Sequence, residues 1–180
     1  MRNHYNSLAR HACWWAETNL IRERFPEAIH SLLFDKGSLT ASLVDLSDHH
    51  FQVRVLGQQR RVPLLHEQRK MQRPLHRISM VREVELLMHG EPVVYARSII
   101  PISLLNKSRS GLANLGSTPL GHLLFRDGRI RVSKREFALI ENSEGLFCAR
   151  RTPYDYLGSQ ILVSEFFLPD LLKKVSASAC

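Results

Sequence analysis

A chain of 180 residues is long enough for one globular domain that buries roughly two thirds of its unfolded surface, and we expect a single domain over 1–180. The 44% hydrophobic content excludes an intrinsically disordered chain, and nothing in the composition indicates a repeat array. The formal net charge of +8, with nine histidines in addition, favours anionic partners but does not distinguish nucleic acid, a membrane surface and a small polyanion.

The apolar stretches of the chain are too short to cross a membrane. The longest uncharged one, 98–105, falls far below the roughly 20 residues that a bilayer requires, and Pro101 interrupts it. Residues 1–15 carry polar side chains where a signal peptide would need an apolar core. The three cysteines, an odd number without metal-ligand spacing, are typical of a reducing compartment. We therefore expect a cytoplasmic protein.

The first part of the chain predicts helices. Residues 1–34 form a predicted helical N-terminal segment, because apolar residues recur there at helical spacing. Ser38 is a suitable N-cap for a short helix that ends near Leu46. In this helix Leu39, Leu43 and Leu46 are expected to face the core.

The next part predicts one strand and then a basic segment. Residues 51–58 alternate as a strand does, with Phe51, Val53 and Val55 expected to face inward. The segment 58–77 is basic and has little periodicity, so we expect an exposed connection. It lacks interleaved aromatic residues and matches no helix-turn-helix, zinc-finger or ribonucleoprotein pattern, which favours a solvated surface over a nucleic-acid site.

The remaining elements predict a sheet. Two strands joined by a short turn are followed by a short helix at 117–125, capped by Ser117 or Thr118 with Pro119 next to it. The predicted strands of this part of the chain are 80–88, 93–102, 131–141, 145–157 and 159–169. Together with the earlier strand they indicate an α+β fold with about six strands, mostly antiparallel, helices on one side, and a C-terminal tail at 170–180.

Two strands contain a charge among apolar neighbours on the same face. Arg82 shares its face with Val84 and Leu86, and Glu165 shares its face with Val163. A charge buried in a core persists only with a partner or a ligand. The pair is therefore either a buried ion pair or part of a ligand pocket, in which Arg82 binds a carboxylate and Glu165 meets a hydroxyl or takes part in proton transfer.

The start of the predicted helix at 117–125 offers a second group for an anion. The helix starts with the residues PLG (119–121), where free backbone N–H groups and the helix dipole attract an anion, and Gly121 permits close approach of the backbone. The alternative is an ordinary capped helix, and an anion site becomes the better interpretation only if Arg82 lies nearby.

The sequence contains no recognisable metal site or common catalytic motif. The histidines and cysteines show no metal-ligand spacing, so we expect no metal, and no G-x-S-x-G, P-loop or G-x-G-x-x-G motif is present.

Four blocks of sequence, in order, resemble the chorismate lyase family. The resemblance covers roughly Phe34 to Pro169, and the blocks are GSLT (37–40), VREVELLMHGEPVVYARSIIP (81–101), LGSTPLGHLLF (115–125) and SEFFLP (164–169). It implies an antiparallel sheet with helical flaps over an internal cavity. It also implies cleavage of chorismate to 4-hydroxybenzoate and pyruvate without a metal or organic cofactor, as the first committed step toward a prenylquinone such as ubiquinone.

The resemblance also implies roles for individual residues. Arg82 would bind the ring carboxylate together with the backbone N–H of Leu120. Glu165 would meet the ring hydroxyl, and Leu39 would pack against the ring as part of a flap. Arg97 corresponds to a second arginine of the family, which helps to admit the anionic substrate or holds its side-chain carboxylate.

A sensor is the alternative function. The predicted architecture also resembles the effector-binding domain of some bacterial transcription regulators, which bind a small molecule without converting it. Such regulators carry a DNA-binding winged helix ahead of the sensor, and residues 1–34 are too short for one. We therefore expect a monomeric enzyme whose partners are the substrate and product, with no nucleic acid bound and no membrane span.

Overall fold

One antiparallel sheet organises the computed structural model, which describes residues 2–107, 112, 115–126 and 128–178. Its order is β1-β6-β7-β8-β4-β3-β2, and β5 pairs with β7. The strands are β1 Trp15–Ala16, β2 Phe51–Arg61, β3 Ser79–Met88, β4 Glu91–Pro101, β5 Arg131–Val132, β6 Glu136–Asn142, β7 Gly145–Tyr156 and β8 Ser159–Phe167. The α+β class and the antiparallel sheet are confirmed, but the strands number eight rather than six. The two additional strands, β1 and β5, have two residues each, too few for a recognisable alternation.

The helices are short and lie mainly before β2, after β4 and at the C-terminal end. They are α1 Arg2–His11, α2 Asn19–Arg22, a 3₁₀ turn at Glu27–Ile29, α3 His30–Leu33, α4 Leu39–Leu46, α5 Leu65–Lys70, α6 Ile102–Lys107, α7 Leu120–Arg126 and α8 Pro169–Ser178. The predicted cap of α4 is confirmed, because Ser38 Oγ accepts a hydrogen bond from the Ala41 N–H at 3.4 Å. None of the described helices is long and apolar enough to cross a membrane.

The residues predicted as a C-terminal tail form α8 as far as residue 178, and residues 179–180 lie outside the described part of the chain. Leu171 of this helix is fully buried, and it joins Leu33, Leu43 and Phe167 in one apolar cluster between the sheet and the helices. The tail prediction was therefore wrong for most of its length, because the apolar side chains of α8 complete the core.

We call the side of the sheet that carries Arg82, Val84, Ala96 and Glu165 the cavity face. The opposite face is covered by α1 and α5, so helices lie on both sides of the sheet rather than on one. In α1 the Tyr5 ring stacks on Tyr95, with the ring centroids 4.5 Å apart. This correction arises because the helices before β1 and after β2 bury their side chains against residues that are distant in the sequence.

Only the last part of the basic segment, residues 72–77, is the mostly exposed connection that we predicted for 58–77. β2 continues to Arg61, and α5 follows from Leu65. Glu67 is 1% exposed, and its carboxylate accepts a hydrogen bond from the Leu64 N–H at 2.7 Å, which stabilises the first turn of α5. A buried carboxylate in a basic segment requires a cation within the fold, and the structure supplies one from β4.

Two apolar residues predicted to face the core are exposed. Leu46 ends α4 and is 48% exposed, since the helix stops at the edge of the core. Val55 is 41% exposed and lies beside an irregularity in the pairing of β2 with β3, between Val55 and Gly57. β2 is an edge strand, where such irregularities are common, and the interrupted alternation turns Val55 away from the core.

Arg97 holds α5 on the opposite face. Its Nε and Nη2 donate to the two carboxylate oxygens of Glu67 at 2.7 and 3.2 Å, and its Nη1 donates to Glu83 Oε1 at 2.8 Å. Burial alone would lower the pKa of Arg97, but the hydrogen bonds and charge of Glu67, with further help from Glu83, raise it. Arg97 is therefore fully paired within the fold.

Substitution of Arg97 by alanine is expected to lower the free energy of unfolding by about 3–5 kcal/mol, because the Glu67 carboxylate remains buried without its partner. Urea denaturation followed by circular dichroism measures this loss. The double variant Arg97→Met with Glu67→Leu removes both charges and is expected to recover most of the stability. An Arg97→Ala protein as stable as the wild type would show that this ion pair does not hold α5.

Candidate functional site

A cavity lies between the cavity face of the sheet and the beginnings of α4 and α7. The space in it that is open to the centres of water-sized molecules is about 40 Å³. The lining residues are Gly37, Ser38, Leu39, Thr40, Arg82, Val84, Leu86, Ala96, Ser98, Pro119, Leu120, Gly121, Leu124, Arg150, Tyr154, Val163 and Glu165. Apolar walls with a few charged groups are typical of a pocket for a small, charged organic ligand.

The two covering helices meet over this cavity. A Cβ atom built on Gly121 of α7 would lie 3.9 Å from Thr40 Oγ1 of α4. Leu39, one residue before Thr40, is 5% exposed and lines the cavity. The predicted architecture of helical flaps over an internal cavity is therefore confirmed.

Arg82 is a buried cation that lacks a carboxylate partner among the described residues. Arg82 is only 1% exposed, and its Nη2 donates hydrogen bonds to the carbonyls of Gly116 at 2.9 Å and Thr118 at 3.1 Å. Its buried Nε has no hydrogen-bond partner there. Burial lowers the pKa of Arg82, yet a guanidinium stays protonated at neutral pH. An anionic ligand would supply the missing charge.

Glu165 pairs with Arg150 and not with Arg82. Arg150 Nε donates to Glu165 Oε2 at 2.5 Å, and the two residues are direct cross-strand partners on β7 and β8. Arg82 lies on β3, which is separated from β8 by β4, so two strand spacings, or roughly 10 Å, lie between the two backbones. Of the two interpretations of Arg82 and Glu165, a direct ion pair is wrong, and both residues line one cavity.

Arg150 also binds the chain that leads into α4. Its Nη1 donates to the carbonyls of Leu32 at 2.8 Å, Leu33 at 3.3 Å and Asp35 at 3.1 Å. Burial alone would lower the pKa of Arg150, but the charge and hydrogen bond of Glu165 raise it. This one side chain thus fixes both Glu165 and the segment that precedes α4.

Sequence reasoning missed Arg150, although a signal was present. Arg150 alternates with Cys148 along β7, so it shares the buried face of that strand, just as Arg82 does on β3. The adjacent Arg151 hides this signal, because two successive arginines in a sequence suggest an exposed basic surface. In the structure they lie on opposite faces, and both are buried.

Five of the six residues proposed for the site line the cavity, and Arg97 does not. The five are Leu39, Arg82, Leu120, Gly121 and Glu165. Arg82 pairs in register with Ser98, so the neighbouring residue Arg97 points to the opposite face, where it binds Glu67 and Glu83. The structure therefore places Arg97, which we expected to help admit the substrate or to hold its side-chain carboxylate, away from the cavity, and the second arginine that lines the cavity is Arg150.

The described residues contain no group of three or more His, Cys, Asp or Glu side chains close enough together to hold a metal ion. The polar groups that the cavity offers are hydrogen-bond donors and one carboxylate, which suit an organic acid. Cys148 lies on the same face of β7 as Arg150, in the apolar cluster that contains Val84 and Ala96, and burial raises the pKa of its thiol to about 12. It is a core residue rather than a nucleophile.

Solved structures with a similar fold include transcriptional regulators. The C-terminal domain of PhnF is 12% identical and has a TM-score of 0.56, with 77% of this chain and 89% of that chain covered. A transcriptional regulator of the GntR family from Enterococcus faecalis V583 is 16% identical and has a TM-score of 0.51, with 66% and 94% covered. At these identities the similarity shows the fold alone.

Sequence comparison is more specific than the fold. A curated protein from Pseudomonas putida, named "Probable chorismate pyruvate-lyase", is 36% identical over 169 residues, which cover 90% of this chain and 93% of the relative. A protein with the same name from Methylococcus capsulatus is 36% identical over 156 residues, 80% of this chain and 96% of the relative. The family model described as chorismate lyase matches residues 8–177. The chain therefore belongs to the chorismate lyase family of carbon–oxygen lyases.

Proposed function

We propose that the protein cleaves chorismate to 4-hydroxybenzoate and pyruvate, and that the reaction takes place in the cavity under α4 and α7. The observation that carries this proposal is Arg82, a buried guanidinium in the wall of the cavity, without a carboxylate partner among the described residues. The carboxylate of a small organic acid would neutralise this charge. Membership of the family makes chorismate the natural candidate.

Each end of the substrate has a matching group in the proposed complex. The ring carboxylate binds to Arg82, whose Nε donor is unused, and to the backbone N–H of Leu120 at the start of α7. The ring hydroxyl lies para to that carboxylate and binds Glu165 on the far side of β4. Leu39 and Gly121 close the pocket over the ring.

The reaction needs no external reagent. The ether bond between the ring and the enolpyruvyl group breaks, and the ring carbon that carries the hydroxyl loses a proton. The methylene carbon of the enolpyruvyl group gains a proton and becomes the methyl group of pyruvate. Aromatisation of the ring drives the reaction, so the residues of the cavity contribute orientation and exclusion of water.

The biological setting extends this proposal. We place the enzyme in the cytoplasm, as a monomer of one domain, at the first committed step toward a prenylquinone such as ubiquinone. The cysteine content favours a reducing compartment. The sensor alternative is supported only by the similar fold of regulator domains at 12–16% identity, so the family membership favours the enzyme.

Purified protein is expected to convert chorismate to equal amounts of 4-hydroxybenzoate and pyruvate. Liquid chromatography measures the aromatic acid, and a coupled lactate dehydrogenase assay measures pyruvate. Chorismate without protein provides the correction for spontaneous decay. Saturable binding of chorismate with no product above that background would contradict the proposal and identify a sensor.

Substitution of Arg82 by alanine is expected to lower kcat/KM for chorismate by about 10²–10³-fold, because the carboxylate loses its buried cation. Arg82→Lys keeps the charge but not the planar pair of donors and is expected to be intermediate. Arg60→Ala is the matched control, since it removes the same charge from an exposed position on β2. Full activity in a folded Arg82→Ala protein would refute the assignment.

Substitution of Glu165 by glutamine tests whether this carboxylate positions the substrate or transfers a proton. Glutamine still accepts a hydrogen bond from the ring hydroxyl, so we expect kcat to fall less than about 100-fold and the affinity for 4-hydroxybenzoate to weaken a few-fold. A fall in kcat of about 10²–10⁴-fold with unchanged affinity would instead assign proton transfer to Glu165. Unchanged rate and unchanged affinity would leave Glu165 with no role in the site.

A further inference from the structure

The substrate carries two carboxylates, and the proposed function assigns only one of them. The ring carboxylate binds Arg82, whereas the enolpyruvyl carboxylate has no assigned partner once Arg97 is found on the opposite face. The charged residues that line the cavity are Arg82, Arg150 and Glu165. Arg150 is thus the one remaining cation among the described lining residues.

The chemistry of the substrate brings its second carboxylate close to Arg150. The enolpyruvyl ether is attached to the ring carbon next to the one that carries the hydroxyl. If Glu165 binds the hydroxyl, the enolpyruvyl group lies beside Glu165. Arg150 is the cross-strand neighbour of Glu165 and touches its carboxylate, so it lies on that side of the cavity.

The donors of Arg150 leave one nitrogen for a ligand. Nε donates to Glu165, and Nη1 donates to the carbonyls of the segment before α4. Within the described part of the chain, no acceptor is hydrogen-bonded to Nη2. The bonds to Nε and Nη1 hold the guanidinium plane in one orientation, so Nη2 can bind a carboxylate without reorganisation of the side chain.

We infer that Arg150 binds the enolpyruvyl carboxylate and distinguishes the dianionic substrate from the monoanionic product. This inference rests on the proposed function. It has a consequence for the reaction cycle: cleavage removes the group that Arg150 holds, so the product that remains in the cavity is bound through the Arg82 and Glu165 ends only.

The test compares ligands with and without the second carboxylate. The probes are 4-hydroxybenzoate, 3-(carboxymethoxy)-4-hydroxybenzoate and the carboxamide of the latter, which has nearly the same size but lacks the second charge. Calorimetry on the wild-type protein is expected to show the dicarboxylate binding about 10- to 100-fold more tightly than the carboxamide. Equal affinities in the wild type would overturn the inference without any variant.

The variants Arg150→Lys and Arg150→Gln test whether Arg150 causes the preference for the dicarboxylate. Both are expected to reduce or abolish the preference for the dicarboxylate and to lower kcat/KM for chorismate. The affinity for 4-hydroxybenzoate is expected to fall less than the affinity for the dicarboxylate, because this product loses only the support that Arg150 gives to Glu165. Arg82→Lys is the matched comparison and is expected to weaken all three probes alike. Arg150→Lys keeps the buried charge, so the same binding measurements can be made on it if Arg150→Gln does not fold.

Two results distinguish a failure of the inference about Arg150 from a failure of the proposed function. If the Arg150 variants weaken 4-hydroxybenzoate and the dicarboxylate equally, Arg150 only supports Glu165 and the segment before α4, and the inference is wrong. If the wild type binds the dicarboxylate preferentially but does not convert chorismate, the proposed function fails while the subsite at Arg150 stands.

Discussion

The burial of Arg82 without a carboxylate partner in the described chain is the constraint on which the rest of the cavity depends. Moving a guanidinium out of water costs several kcal/mol unless other groups replace its solvation. Here two backbone carbonyls, of Gly116 and Thr118, replace part of it. These carbonyls belong to the segment that leads into α7, so the same contacts that solvate the cation also hold one cover over the cavity. The solvation remains incomplete, because Arg82 Nε has no hydrogen-bond partner among the described residues. In the proposed complex, an anionic ligand would complete it.

The register of the sheet determines which charges face the cavity. Arg82 is opposite Ser98 on β4, and Ser98 is opposite Val163 on β8. Glu165 therefore lies two residues farther along β8 on the same face, beside Arg150 of β7. A shift of one residue reverses the face, which is why Arg97 binds Glu67 under α5 instead of lining the pocket. The charged residues on the cavity face therefore line the pocket, whereas Arg97 on the opposite face forms ion pairs that stabilise the fold.

Much of the site was predictable from the sequence because its signals are local. A charge among apolar residues at alternate positions identified Arg82 and Glu165, and the Ser38 cap located α4. The errors involve partners that are remote in the sequence. Glu67 binds Arg97 across 30 positions, so nothing near Glu67 revealed that the basic segment would contain a buried helix. Arg97 was assigned from the family resemblance, whereas the alternation along β4 places it on the face opposite to Ser98.

The two arginines of the cavity connect ligand binding to both covers. Arg82 binds the carbonyls before α7, and Arg150 binds those before α4. Each guanidinium thus bridges a covering segment and the place where a carboxylate of the substrate would bind. In the proposed complex, a substrate with two carboxylates would engage both arginines and reinforce both covers, whereas the product would engage Arg82 and Glu165 but not Arg150. On this proposal the cover at α4 loses its contact with the ligand first, and we expect pyruvate to leave on the α4 side.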